Sequence, residues 1–289
     1  MEHNFTMTIA TALLSRAIDY AGLFPPASLD MRTAIRNYAD YRRSSNAWAL
    51  GRFIVPTTRL GEFYENTAEA VDVWPLSLLT SSNIKEDLQI ASDHKMHVEV
   101  VECKVRDISE IRTARQAIPE NVIVYFEIPI HDDPSEWIAA IANTGSRVKV
   151  RTGGITSDAF PSPLLLARLI EACASARVPF KATAGLHHPV RSLQRLTYEH
   201  DSASAVMHGF VNVFFAGALL YFGATLSETI AALEDQCTDS WKYAGSEMCW
   251  HSWRITTSQM QAVRDNLAIS FGSCSFSEPL LEMDALGWR

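Results

Sequence analysis

Val148-Lys149-Val150-Arg151-Thr152-Gly153-Gly154 and Phe180-Lys181-Ala182-Thr183-Ala184-Gly185 are two strand-like runs, each carrying a lysine at the same place and each ending at a glycine. Side chains alternate between the faces of a strand, so Lys149 shares a face with Arg151, and Lys181 shares the corresponding face of the next strand with Thr183. An ammonium on so apolar a strand needs a chemical reason. Similar runs recur at residues 18–23, 52–55, 73–79, 97–104, 122–128, 147–151, 180–183 and 268–271. Helix starts stand between them. Asp133 is expected as the N-cap before Pro134, Ser162 precedes Pro163, and Asp107-x-x-Glu110 and Thr225-x-x-Glu228 read as capping boxes. Eight apolar strands alternating with helices predict a parallel sheet covered by helices and closed on itself, a (β/α)8 barrel of the TIM type in one domain over residues 1–289. An open doubly wound sheet is the alternative, and no Gly-rich dinucleotide-binding run supports it.

One stretch departs from that rhythm. Residues 189–267, between the seventh and eighth strands, hold an apolar segment at 206–222, a helix near 227–234 and a Trp-rich run at 241–253 that reads as a hairpin around Gly245. The apolar segment falls short of the ~20 residues of a membrane span and contains His208 and Asn212. It is expected to be a buried helix or a homo-oligomer contact, not a membrane anchor.

Composition narrows the function classes. The 289 residues are 47% hydrophobic and 20% charged, with a net charge of -8 and no basic run longer than Arg42-Arg43. That balance points to a small-molecule substrate and away from nucleic acid. The five cysteines are odd in number and lack paired metal-type spacing, and no basic, apolar leader opens the sequence, so a cytoplasmic location is expected.

In a barrel, catalytic groups come from the C-terminal ends of strands and the loops beyond them. Here those places carry Asp19, Glu99, Glu102, Lys104, Tyr125, Glu127, Lys149, Arg151, Lys181 and Thr183, with His187 and His188 in the loop that follows. Charges at such positions also form inert paired networks. The chemical reading starts from the two lysines. A desolvated lysine beside another cation has its pKa lowered and becomes a neutral amine able to attack a carbonyl.

These residues resemble the class I aldolases of the deoxyribose-phosphate aldolase type. Lys149-x-x-Thr152-Gly153 is similar to that family's strand-six run, whose lysine forms the Schiff base. Lys181-Ala182-Thr183-Ala184-Gly185 is similar to its strand-seven run, and Phe271-Gly272-Ser273-Cys274-Ser275 resembles its phosphate-holding turn. The resemblance implies Lys149 as nucleophile, Lys181 as its pKa partner, Glu127 as the strand-five carboxylate and Glu99 as the strand-four acid–base group, with no cofactor. A substrate phosphate or carboxylate would rest on Gly153, Gly154, Gly185, Gly272 and Ser273, with Thr183 and His187 nearby. Arg151 departs from the pattern and is suited to bidentate binding of a carboxylate. The chain as a whole also resembles a set of bacterial barrel proteins without an assigned activity, through residues 19–26 and His187-His188-Pro189.

Two other classes compete with this lyase reading. Glu102, Glu127, His187 and His188 offer oxygen and nitrogen ligands to a divalent metal that would polarise a carbonyl or enolate in a lyase or isomerase. A non-catalytic barrel that binds a metabolite and signals through the Trp-rich hairpin is the third class.

Overall fold

The computed structural model describes residues 7–67, 73–130 and 132–289. Its strands are β1 (Ile18–Tyr20), β2 (Leu50–Pro56), β3 (Leu76–Leu79), β4 (Val98–Lys104), β5 (Ile123–Glu127), β6 (Arg147–Arg151), β7 (Phe180–Thr183), β8 (Ser192–Arg195), β9 (Ser204–Met207), β10 (Trp241–Tyr243), β11 (Glu247–Trp250), β12 (Trp253–Thr256) and β13 (Ala268–Ser273). Its α-helices are α1 (Ile9–Leu14), α2 (Met31–Arg43), α3 (Leu60–Thr67), α4 (Ile84–Asp93), α5 (Ile108–Gln116), α6 (Ser135–Ala142), α7 (Pro163–Ala176), α8 (Phe210–Tyr221), α9 (Leu226–Glu234), α10 (Thr257–Asn266) and α11 (Ser277–Ala285). Strands β1 to β7 and β13 close into a parallel barrel in the order β1-β13-β7-β6-β5-β4-β3-β2, so the fold is the expected (β/α)8 barrel.

Each of the eight expected strands is present, and the differences lie at their ends. β1 stops at Tyr20, short of residue 23, and the chain turns toward the cis peptide Pro25-Pro26. β3 starts at Leu76 because Pro75 has no N–H to pair; only its carbonyl joins the ladder, accepting from Phe53 N at 3.0 Å. Helix starts follow side-chain chemistry. Ser162 accepts from Leu165 N at the start of α7, and Thr225 and Glu228 form a complete capping box on α9. The Asp133 expectation shifts by one residue: its carboxylate accepts from Ser135 N at 2.9 Å, but Pro134 occupies the N-cap position of α6.

The seam between β1 and β13 completes the ring, pairing Ile18 with Phe271, Asp19 with Gly272 and Tyr20 with Ser273. Buried Arg264 on α10 reinforces it, donating from Nη2 to Ser15 O at 2.8 Å and from Nη1 to the Ala268 and Ile269 carbonyls. These bonds join the segment entering β1 to the segment entering β13.

Residues 189–267 wrap this seam rather than forming a separate layer of their own. Residues 206 and 207 of the apolar segment belong to β9, and the helix within it is α8. Phe210 to Leu219 are buried within the chain, Phe210 stacking on Phe271 with ring centres 5.1 Å apart and Phe215 meeting Trp241 edge-on at 5.3 Å. That apolar surface is already covered, so α8 offers no broad free face for the oligomer contact expected of it. Among the described residues, no helix is long and apolar enough to cross a membrane. The hairpin around Gly245 is β10–β11, and it extends through β12 into a three-stranded sheet. A second hairpin, β8–β9, was not expected: Ser192-Leu193-Gln194-Arg195 has a single apolar residue and gives almost no strand signal.

Phe271 joins the seam to α8, so Phe271→Ala is expected to cost about 3–5 kcal/mol as a large-to-small core change. Urea unfolding would show this as a lower midpoint at constant slope; a change below ~1 kcal/mol would mean that the seam does not depend on this packing.

Candidate active site

Five charged side chains from five strands meet inside the barrel. Asp19 comes from β1, Glu102 from β4, Glu127 from β5, Lys149 from β6 and Lys181 from β7, and all five are buried. Strand register brings the lysines together, because Lys149 pairs directly with Lys181 and Glu127 with Lys149. Lys181 Nζ donates to Asp19 Oδ2 at 2.6 Å and Glu102 Oε1 at 2.7 Å. Lys149 Nζ lies 2.7 Å from Glu102 Oε2 and 2.8 Å from Glu127 Oε2. Glu102 therefore bridges both lysines, one oxygen to each. Neutral donors complete the shell: Ser77 Oγ donates to Glu102 Oε1 at 2.7 Å, Ser270 Oγ to Asp19 Oδ2 at 2.9 Å, and Arg52 N to Asp19 Oδ1 at 2.9 Å.

This pairing overturns the expectation of a neutral lysine. Burial alone would lower the pKa of Lys149, but Glu102 and Glu127 outweigh it and raise the pKa above the ordinary value. Lys181 is raised likewise, by Asp19 and Glu102 against burial. Burial pushes the Glu102 carboxyl up, yet the two ammonium groups hold it well below the usual carboxylate range; Lys181 and Arg52 do the same for Asp19. Each lysine sees two carboxylates before it sees the other lysine, so both are ammonium at rest. Sequence reading placed Asp19, Glu102 and Glu127 on strands β1, β4 and β5 but did not show that these carboxylates close around the two lysines.

Above this cluster, at the C-terminal end of the barrel, opens a cavity of about 850 Å³. Lys149, Glu102, Glu127, Arg151, Gly154, Thr183, Gly185, His187, His188 and Gly272 all reach it as expected. Lys181 does not line it and stands behind Lys149, 1% exposed. Three expected site residues lie elsewhere. Glu99 lies near the opposite end of β4, paired with Arg52 at 2.9 Å and Arg16 at 3.4 Å; Glu102 takes the strand-four position instead. Gly153 is buried under the ring of Phe160, which fills the place a side chain would need. Ser273 is buried with its hydroxyl already used: Oγ donates to Ser275 O at 2.6 Å and lies 3.0 Å from His187 Nδ1. Sequence reading missed Arg195 and Tyr198, which reach the cavity from the β8–β9 hairpin, and Glu278, from α11.

The Ser273 contact fixes the histidine beside it. With the hydroxyl proton given to Ser275 O, His187 must donate from Nδ1, leaving Nε2 a lone-pair acceptor near the Cys274 thiol at 3.9 Å. Burial, aided by neighbouring His188, lowers the His187 pKa to about 4.

The residues expected to hold a divalent metal do not assemble a donor set. Both oxygens of Glu102 and one of Glu127 are bonded to ammonium groups, so lysine nitrogens fill the place a cation would take. His188 turns instead to Glu282, Nδ1 to Oε1 at 2.7 Å. Among the described residues, the His/carboxylate group compact enough for a metal is a different one, His188, Glu278 and Glu282, with ligand atoms within 4.8 Å of one another.

A pH dependence of stability follows from these shifts. Burial lowers the pKa of His187 and of His208 to about 4, whereas the unfolded chain protonates them near the ordinary value of 6.5. Their folded pKa values are depressed, so their stabilisation is full above pH 6.5 and declines as pH falls toward 4. The carboxylates Asp19 and Glu102 are also depressed, and their contribution is lost below ~4. Raised Lys181 works in the opposite sense, stabilising until pH climbs past ~10.4 and toward its folded value. Urea midpoints measured from pH 3 to 8 should fall in two acid stages, and a His187→Gln/His208→Gln protein should lose the first; an unchanged first stage would refute the assignment.

Comparison with known proteins finds no matching family model and no matching curated protein, so functional inference rests on the chemistry of this cavity.

Proposed function

We propose that the chain is a class I carbon–carbon lyase acting on a small oxo or hydroxy compound through a Schiff base on Lys149. One observation carries the reading: among the described residues, Lys149 is the single lysine that is both buried and exposed to the cavity, and its ammonium sits between two carboxylates.

The chemistry starts from the protonated state. One proton passes from Lys149 Nζ to Glu127 Oε2 across 2.8 Å, giving a neutral amine in place, without a depressed resting pKa. The amine adds to the substrate carbonyl, and the hydroxyl of the carbinolamine takes the proton back from Glu127 and leaves as water. An iminium replaces the ammonium, so one positive charge remains between Glu102 and Glu127 and the buried charge balance is kept. When the adjacent carbon–carbon bond breaks, its electron pair flows into the iminium, and Glu127 accepts the proton released by the substrate hydroxyl. Lys181 acts at one remove, holding Glu102 in the orientation that faces Lys149. The inert-network alternative requires Lys149 to be closed to solvent molecules, and its place on the cavity wall argues against that.

Borohydride reduction in the presence of acetaldehyde, acetone or pyruvate should leave an adduct on the Lys149 peptide and none on the Lys181 peptide, and Lys149→Met should abolish it. Labelling confined to exposed lysines, with the wild-type and Lys149→Met proteins alike, would refute the proposal.

A further inference from the structure

We infer that the substrate is an oxo acid whose carboxylate is held by Arg151 and Arg195 at the mouth of the cavity; this rests on the Schiff-base reading. The protein carries a net charge of -8, yet Lys104, Arg151 and Arg195 all line the same cavity. Arg151 has only a long ion pair, and the other two have no anionic partner among the described residues. Among the described residues, the side chains of Lys104 and Arg195 make no hydrogen bond or ion pair, and the nearest carboxylate to Arg151 is Glu127, Nη1 to Oε1 at 4.0 Å. Cations left unpaired or loosely paired beside a concave site raise the local concentration of anions and are free to bind one.

Glu127 sets the scale of the ligand. Its Oε2 is 2.8 Å from Lys149 Nζ while its Oε1 faces Arg151 at 4.0 Å, so a single carboxyl group separates the guanidinium from the reacting nitrogen. A carbonyl bound at Lys149 is therefore placed on the side of the cavity that carries Arg151, as a carboxylate joined directly to the carbonyl carbon, or one carbon away, requires. The planar guanidinium fork suits a carboxylate in bidentate geometry, which a lysine would not match. Arg195 approaches from β8, on the hairpin absent from the plain strand–helix pattern of the barrel.

The Gly272-Ser273 turn is unsuited to an anion. The Ser273 hydroxyl is already used by Ser275 and His187, and the Glu278 carboxylate lines the cavity there, accepting from Tyr198 OH at 3.3 Å. A phosphate on the Gly272-Ser273 turn would face that carboxylate, which also lies 3.5 Å from His187 Nδ1.

The test compares pyruvate with acetone, which replaces the carboxylate by a methyl group, and with dihydroxyacetone phosphate. The half-saturating concentration for borohydride trapping on Lys149 is measured with each in the wild type, Arg151→Gln, Arg195→Gln and the double variant. The wild type should favour pyruvate over both others, and the pyruvate-to-acetone preference should fall at least tenfold in Arg151→Gln and further in the double variant. An unchanged preference across the variants, or a wild-type preference for the phosphate, would overturn the oxo-acid assignment while leaving Lys149 chemistry intact. Should no carbonyl trap on Lys149, the Schiff-base reading fails. Pyruvate titration by calorimetry then decides the anion site: heat of binding lost in the double variant retains it, and no binding to the wild type removes it.

Discussion

The alternating chain of buried charges, Asp19 to Lys181 to Glu102 to Lys149 to Glu127, constrains everything else in the barrel. Removing one member of a buried pair typically costs about 3–5 kcal/mol because the other is left uncompensated. Its members come from five of the eight barrel strands, so a one-residue slip of any of them would turn a charge outward and strand its partner. Register and charge pairing specify each other here. Apolar residues of equal volume would fill the same space at no loss of stability in many proteins, so stability alone gives little reason for such a cluster. Access of Lys149 to the cavity supplies a different one.

Much of the barrel was legible because parallel strands buried on both faces read as nearly continuous apolar runs. The paired lysines were legible for the same reason: charge on such a strand stands out. Their protonation was not. Carboxylates 79 and 162 residues away in sequence contact Lys181, and no local pattern announces them. Glu99 and Glu102 illustrate the limit differently. Both are carboxylates on one strand, and choosing between them requires knowing which end of β4 faces the cavity and which face points inward. Arg195 escaped notice because β8 is half exposed and polar, so hydrophobic periodicity has nothing to detect.

The two ends of the cavity obey different physics. Around Lys149 every charge is matched at hydrogen-bonding distance and desolvated, which makes each contact strong and its geometry fixed. At the mouth, Lys104 and Arg195 are solvated and unpaired, so their field is screened by salt and reaches a ligand before contact is made. Orientation by long-range attraction followed by the proposed reaction at a preset charge cluster fits one cavity with both properties.

The seam has a consequence for biosynthesis. Asp19 and its partner Ser270 lie 251 residues apart, so a ribosome must release every residue between the first and last barrel strands before the ring can close. At about 5–20 residues per second, the nascent sheet spends many seconds with β1 and β7 as open edges and with Asp19 lacking Ser270. Exposed strand edges are templates for pairing with other chains. A product ending before β13 would therefore be a substrate for aggregation and quality control rather than a smaller closed barrel.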